Sequence, residues 1–366
     1  MISTPKYIWD VGSAYDLFTS LTVLHDPNRY GLRGSWAAGV RSRIPTEHRD
    51  FLQEVAEHHY VWPIPWLASL TGPKDSATVL EQLDEIPTAD LLRVLSQSYM
   101  ADEVKALLYQ VAEKCSWDDA DKQTLHDVYV EMYRKEGQKK KRITDEELEN
   151  TLNVWADPEG FGKSWLAAVK AYYEVFFREE EMRILPALQQ SAAYAQEAAQ
   201  TISFWALLTD LSQGLKFDYD EKKVGNMREV VMIPSFWTTP LSLFMAADHN
   251  HERWLFMFGG RPDGMSLVPG EAVPELLYQT LKALADPTRL RILRYLAEEP
   301  LTPAELARRL RLRPPTVIHH LDTLRLARLV QVTLSPQGRR YEARREQVDG
   351  MMCGMLGAFL DGETLE

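Results

Sequence analysis

Cysteine is nearly absent: Cys115 and Cys353 are the only two in 366 residues. So sparse and widely separated a pair excludes a disulfide framework and a thiolate zinc site, and it suits a reducing, cytoplasmic location. No apolar run is long enough to span a bilayer, so no membrane partner is expected. The opening MISTPKYIWDVG has neither the basic nor the apolar region of a secretory signal. Gly-x-Ser-x-Gly, His-Glu-x-x-His and Gly-x-Gly-x-x-Gly are all missing, and no catalytic constellation replaces them. The expectation is a protein that is not an enzyme and carries no cofactor and no metal.

Positive charge is also scarce overall, with a net charge of −12, but it is unevenly placed. Residues 1–281 hold 27 Lys+Arg against 42 Asp+Glu, and residues 346–366 hold none against 5. Residues 282–345 reverse the balance, with 14 against 6. Attraction to a polyanion is set within a Debye length of about 8 Å, so this local excess matters more than the total.

Along the chain, residues 1 to about 220 read mostly as helices. EHRDFLQEVAEHHY, TADLLRVLSQSYM and DEVKALLYQVAEK each repeat apolar residues at steps of three and four. Thr144 and Glu147 make a capping-box pattern, and the stretch from Lys163 to about Gln200 predicts one long helix kinked at Pro186. REVVMIPSFW and RWLFMFGG switch to strand-like runs and predict a small sheet. The expected organisation is a helical sensor or regulatory domain with a small β element over 1–260, a Gly- and Pro-rich linker over 261–270, and a winged helix-turn-helix with dimerisation elements over 271–366. The fold class is mainly α.

The C-terminal region is punctuated. Asp286-Pro287 has the chemistry of an N-cap and first helical position, after which Leu290, Leu293 and Leu296 line one face. Thr302-Pro303-Ala304-Glu305 is a complete capping box. Pro314 and Pro315 fit only the first turn of a helix, so two short helices meet at a tight turn. Ser335-Pro336-Gln337-Gly338 has type I turn preferences and joins two β-prone runs into a wing, with Arg339 and Arg340 just past its tip.

In the helix after Pro314, Val317, Leu321 and Leu324 must face the core. The opposite side then carries Pro315, Thr316, His319, Asp322 and Thr323. His320 falls on the flank as a packing residue, while His319 faces outward beside Thr316, both suited to base edges. Adjacent helical residues diverge, so the His319-His320 pair does not suit a metal. The expected DNA contacts are Arg313, Pro315, Thr316, His319, Asp322, Thr323, Arg339 and Arg340. The last helix, about 346–360, places Val348, Met352, Met355 and Phe359 on one stripe, expected to dimerise, with packing inside the subunit as the competing view.

ALADPTRLRIL, LTPAELARRL and TVIHHLDTLRLARLV followed by a wing resemble the winged helix-turn-helix of the ArsR-like bacterial transcription regulators, over about 70 residues. The resemblance implies a dimeric protein whose second helix-turn-helix helix enters the major groove, with Thr316 and His319 at reading positions. It also implies terminal helices at the dimer interface. This sequence departs from the pattern in four ways. The cysteine pair of the metal sensors is missing, Arg311 and Arg328 stand where glycine is usual, and Asp322 replaces a commonly basic residue. VVMIPSFWTTPLSL and WLFMFGG resemble a domain of unknown function found ahead of this winged helix in some regulators.

DPEGFGKS, 157–164, falls short of a phosphate-binding loop, because it starts with aspartate and no strand precedes it. DHNHERW, 248–254, suits a polar hairpin loop better than a metal site. His58-His59 diverge like the later pair. All ten tryptophans lie between Trp9 and Trp254, as core or as an aromatic-lined effector pocket. The expectation is a homodimeric repressor of a double-stranded DNA operator, with an N-terminal domain that senses a small-molecule effector. The alternatives are an enzyme, or a protein-interaction domain, tethered to DNA by the winged helix.

Overall fold

The computed structural model describes residues 5–58, 61–96, 100–135, 143–218, 227–248, 250–270, 273–335, 338–350 and 354–361. The fold is mainly α with two small sheets. The chain forms two compact units, residues 39–181 and residues 1–38 with 182–366. The stretch 261–270, expected as a linker for its glycines and prolines, lies within the second of these.

Unit 39–181 is helical. The three segments singled out by periodicity form helices Thr46–His58, Thr88–Ser96 and Asp102–Lys114. The last buries Val104, Leu107, Leu108 and Val111, the spacing that puts one face inside. Side-chain caps fix the helix starts: Asp75 accepts from the Thr78 amide at 2.9 Å, and Thr144 with Glu147 forms a full capping box. DPEGFGKS opens helix Pro158–Tyr172, with Asp157 accepting from the Gly160 amide at 3.0 Å and Pro158 in the first turn. A Cβ at Gly162 would overlap the Thr88 carbonyl oxygen, so this glycine lets two helices approach closely.

The long helical stretch holds a surprise. Helices Pro158–Tyr172 and Arg178–Ala198 are joined by a π-helical turn, Tyr173–Phe177, with Pro186 inside the second helix. The departure from α geometry therefore falls at the aromatic run YEVFF, not at the proline.

In the other unit a sheet runs in the order β1 (Lys6–Trp9), β3 (Glu229–Ser235), β5 (Arg253–Gly259), β4 (Leu243–Ala246). The first three strands are parallel, and β4 pairs antiparallel with β5. Strand β1 is an exception within the mostly helical residues 1 to about 220; four residues are too few to show an alternation. Val230, Val231, Met232 and Ile233 are all fully buried, as expected for a parallel strand covered on both faces. On one face Phe204, Trp205, Leu208, Phe256 and Phe258 share a core. Helix Ser13–His25 is almost wholly buried, and its Asp16 accepts from Ser235 Oγ (2.7 Å) and the amides of Phe236 (3.0 Å) and Trp237 (2.9 Å). The stretch 261–270 is packed rather than loose: Leu267 is fully buried and Arg261 nearly so.

Four of the ten tryptophans are buried, and the other six are half-exposed. Trp155 and Trp165 are buried in unit 39–181, and Trp205 and Trp237 in the other. A second sheet, β2 (Leu215–Phe217), β6 (Val330–Ser335) and β7 (Gly338–Ala343), is described with the site it frames. Among the described residues, no helix is long and apolar enough to cross a membrane.

Candidate nucleic-acid interface

Asp286 caps helix Pro287–Glu298 by accepting from the Arg289 amide at 2.9 Å, which also holds its carboxyl below the usual carboxylate range. Arg289 returns the interaction, donating to the carbonyls of Ala283 and Lys282 at the end of the preceding helix, Glu275–Leu284. The buried face of the Asp286-capped helix is Ile292 and Leu296 with Leu293 beside them, whereas Leu290 is 49% exposed. Of the three leucines read on one face, Leu290 therefore lies at the edge of the buried line formed by Ile292, Leu293 and Leu296.

The capping box forms as written. The Glu305 amide donates to Thr302 Oγ1 at 3.3 Å, and Glu305 Oε2 accepts from the Thr302 amide at 2.7 Å. These bonds, the Thr302 amide first, hold the Glu305 carboxyl ionised below its ordinary range. Helix Pro303–Leu310 ends at Arg311 in the left-handed region, φ 58°. Arg313 then stands at the N-cap position of helix Pro314–Leu326, without a side-chain cap bond, and Pro314 takes its first position. This helix ends at Ala327, and Arg328 also takes a left-handed conformation, φ 53°. Both positions where glycine is usual therefore keep glycine-like backbone without glycine. That geometry costs an L-residue roughly 1–2 kcal/mol.

Val317, Leu321 and Leu324 are fully buried in a shared core with Leu306, Leu310, Val330 and Tyr341. Pro315, Thr316, His319 and Asp322 are exposed, and Thr323 is half-exposed. The Thr323 hydroxyl donates to the His319 carbonyl at 3.1 Å, and Asp322 lies 3.9 Å from Arg325. His320 is half-buried, its ring 6.2 Å from that of His319 and tilted by 53°. Burial pushes its imidazole below the ordinary histidine value, against the pull of Asp286. Among the described residues, no three His, Cys, Asp or Glu side chains gather as a metal site. His249 and His59 lie outside the described residues; Asp248 closes the loop between β4 and β5 by accepting from the amides of Glu252 and Arg253.

Strands β6 and β7 pair antiparallel from Val330↔Ala343 to Ser335↔Gly338, and the expected turn residues Pro336 and Gln337 lie outside the described ones. Arg339 is exposed and has no ion-pair partner among the described residues. Arg340 differs: it donates to the Pro300 carbonyl at 3.1 Å and lies 3.6 Å from Glu305. Sequence reasoning missed three exposed neighbours of the reading face, Arg308, Arg311 and Ile318. The arginine-dense ARRLRLR was the signal for the first two. Ile318 carried none, since an apolar residue beside Val317 reads as core.

The third strand of the wing was also missed. Strand β2 adds parallel to β6, with Leu215↔Val332 and Phe217↔Leu334 in register, and a three-residue strand leaves no periodicity to read. Of the expected dimer stripe, Val348 and Met355 pack against the winged-helix core, Phe359 is half-buried and Met352 lies outside the described residues. The described terminal residues form two short helices, Arg345–Gly350 and Leu356–Asp361.

Residues 286–332 match the family model described as bacterial regulatory protein, arsR family. The match covers the two capped helices, the reading helix and the start of the wing. No curated protein and no solved structure matches the chain.

Proposed function

With a regulatory helix-turn-helix of the arsR type at residues 286–332 as the premise, we propose that the protein is a DNA-binding transcription regulator acting as a homodimeric repressor, with its other residues sensing an effector. The observation that carries the reading is the exposed face of helix Pro314–Leu326. Thr316, His319 and Asp322 project from it while Val317, Leu321 and Leu324 anchor its back. Arg308, Arg311 and Arg313 beside that face, with Arg339 on the wing, supply phosphate contacts, and the side chains on the face supply base contacts. Thr323 contributes from the edge, and Arg340 only in part.

A homodimer is supported by exposed apolar residues around the winged helix, Leu281, Leu290 and Leu360, at 41%, 49% and 73% exposure. Val348 and Met355 pack within the subunit and do not add to that support. The proposed location is the cytoplasm, and no catalytic role is proposed. Selection of duplexes from a random pool by the full chain tests this. A dimer should enrich an inverted repeat with half-site centres about 10–10.5 base pairs apart, or a multiple of that. A pool that stays random contradicts the reading.

A further inference from the structure

Four arginines of one unit come together where the winged helix meets the parallel sheet. Arg261 is 93% buried, since only 7% of its surface is exposed. Its Nη2 donates to the Thr239 carbonyl at 3.0 Å, while Nη1 is buried with no hydrogen-bond partner. Arg183 lies across the Phe236 ring and donates to the carbonyls of Ser266 and Leu267. Arg328, 8% exposed, pairs with Asp263 but leaves its Nε buried and unpartnered. Arg344 donates to the Gln213 carbonyl at 3.1 Å.

The carboxylates that act on Arg261 are Glu275 and Asp263, and Asp263 also acts on Arg344. Glu275 is itself engaged by Gln279 at 2.8 Å. Burial, more than any neighbour, lowers the Arg261 guanidinium to about 10, so it stays charged at neutral pH. Burying charge without a partner is costly, and each orphaned donor adds to that cost. The cluster has a surface opening close by. A cleft is lined by Ser212, Gln213, Leu215, Pro240, Ser242 and Arg325. Gln213 in that lining holds Arg344 through its carbonyl, and Pro240 follows the Thr239 that holds Arg261.

We propose that the buried arginines Arg261 and Arg328, with the half-buried Arg344, bind a small oxyanion, a carboxylate or a phosphate. Arg328 follows the reading helix and Arg344 follows the wing, whereas Arg261 follows β5, so one anion holds both halves of this seam. As a regulatory site it rests on the DNA-binding reading above; as a binding site it does not. The ligand satisfies Arg261 Nη1 and Arg328 Nε. Gain or loss of the anion then changes how firmly the reading helix and wing are held against the sheet.

The test uses the full chain. Thermal unfolding is followed in sodium phosphate, sodium acetate and sodium chloride at matched ionic strength, and binding to a duplex is measured separately without oxyanion. Phosphate or acetate should raise the midpoint saturably by a few degrees over chloride, as mass action requires for a ligand of the native state. Phosphate alone acting identifies a phosphate ligand, and acetate alone a carboxylate. Arg261→Met should unfold at or above the wild-type midpoint in chloride, because an unpaired buried charge is gone, and should not respond to either oxyanion. Arg339→Ala should respond as wild type does, which separates the cluster from the wing surface.

No oxyanion shift beyond chloride, or an equal shift in Arg261→Met, overturns the proposal. Should Arg261→Met fail to fold, Arg344→Gln takes its place: oxyanion affinity should drop about tenfold, and unchanged affinity overturns the site. Duplex binding retained without any oxyanion shift sinks this inference alone. An oxyanion shift without duplex binding leaves the site standing and sinks the function proposed above.

Discussion

The helix-turn-helix and the helical unit 39–181 are built from the same materials, capped amphipathic helices around leucine-rich cores, yet they differ in what they put on the surface. In residues 286–326 the side-chain caps at Asp286 and Thr302 and the first-turn prolines of helix Pro314–Leu326 set three helices so that one exposed face is small and polar and its neighbours are arginines. In unit 39–181 side-chain caps at Asp75, Thr144 and Asp157 set helices that carry ion pairs such as Lys122 with Glu149 and Lys170 with Asp84. Regular periodicity builds both regions. Function becomes readable only where charge is left for something outside the protein.

Breaking the first core should have the largest effect. Leu321→Ala removes a fully buried side chain from the winged-helix core and should cost about 2–5 kcal/mol, seen as a lower denaturant midpoint and lost duplex binding. A loss well under 1 kcal/mol would mean that the reading helix is not anchored as described. The matching change in the helical unit is Gly162→Ala, where the new Cβ meets the Thr88 carbonyl. Overpacking there should cost about 1–3 kcal/mol and raise amide exchange in helices Thr88–Ser96 and Pro158–Tyr172. Unaltered exchange would show that the two helices do not approach so closely.

The two left-handed arginines sharpen the comparison. Arg311→Gly should stabilise by about 1 kcal/mol, because its backbone already has glycine geometry and its side chain is exposed. Arg328→Gly should not gain in the same way, because the pair with Asp263 goes with it. Chemical denaturation of the two variants decides this, and equal gains would mean that the pair contributes nothing.

The smallest expected effect is a pH dependence. The folded-state pKa of His320 is lowered by burial, so between that value and about 6.5 the unfolded chain binds the extra proton. Stability contributed by neutral His320 is present above pH 6.5, falls as pH drops below it, and levels off beneath the folded value. His320→Gln should flatten that window, measured by denaturation between pH 7.5 and pH 5, and an unchanged slope would rule His320 out as its source.

Much of the C-terminal fold could be read because caps and prolines act locally: Thr302 and Glu305 need only each other. Leu290 shows the limit, since a stripe of leucines is not a buried face until the neighbouring helix decides which residues it covers. Strands β1 and β2 were illegible for a different reason. Each is three or four residues long and exists only because distant segments, β3 and β6, offer an edge. The π-helical turn at Tyr173–Phe177 leaves no signal, because its aromatic residues suit an α-helix equally well. The buried arginines escaped notice because a Gly- and Pro-rich stretch around Arg261 looks like a linker until its packing is seen.

The most direct test of the central claim is the salt dependence of duplex binding. The affinity of the full chain, measured across sodium chloride concentrations, should fall linearly on logarithmic axes. Arg313→Ala and Arg339→Ala should each reduce the slope by about 0.9, and Arg340→Ala by less, since Pro300 and Glu305 already hold its guanidinium. His319→Ala should keep the slope while losing about 1–3 kcal/mol on the selected site alone. Slopes untouched by the arginine variants, or a His319→Ala loss equal on every sequence, would contradict the account.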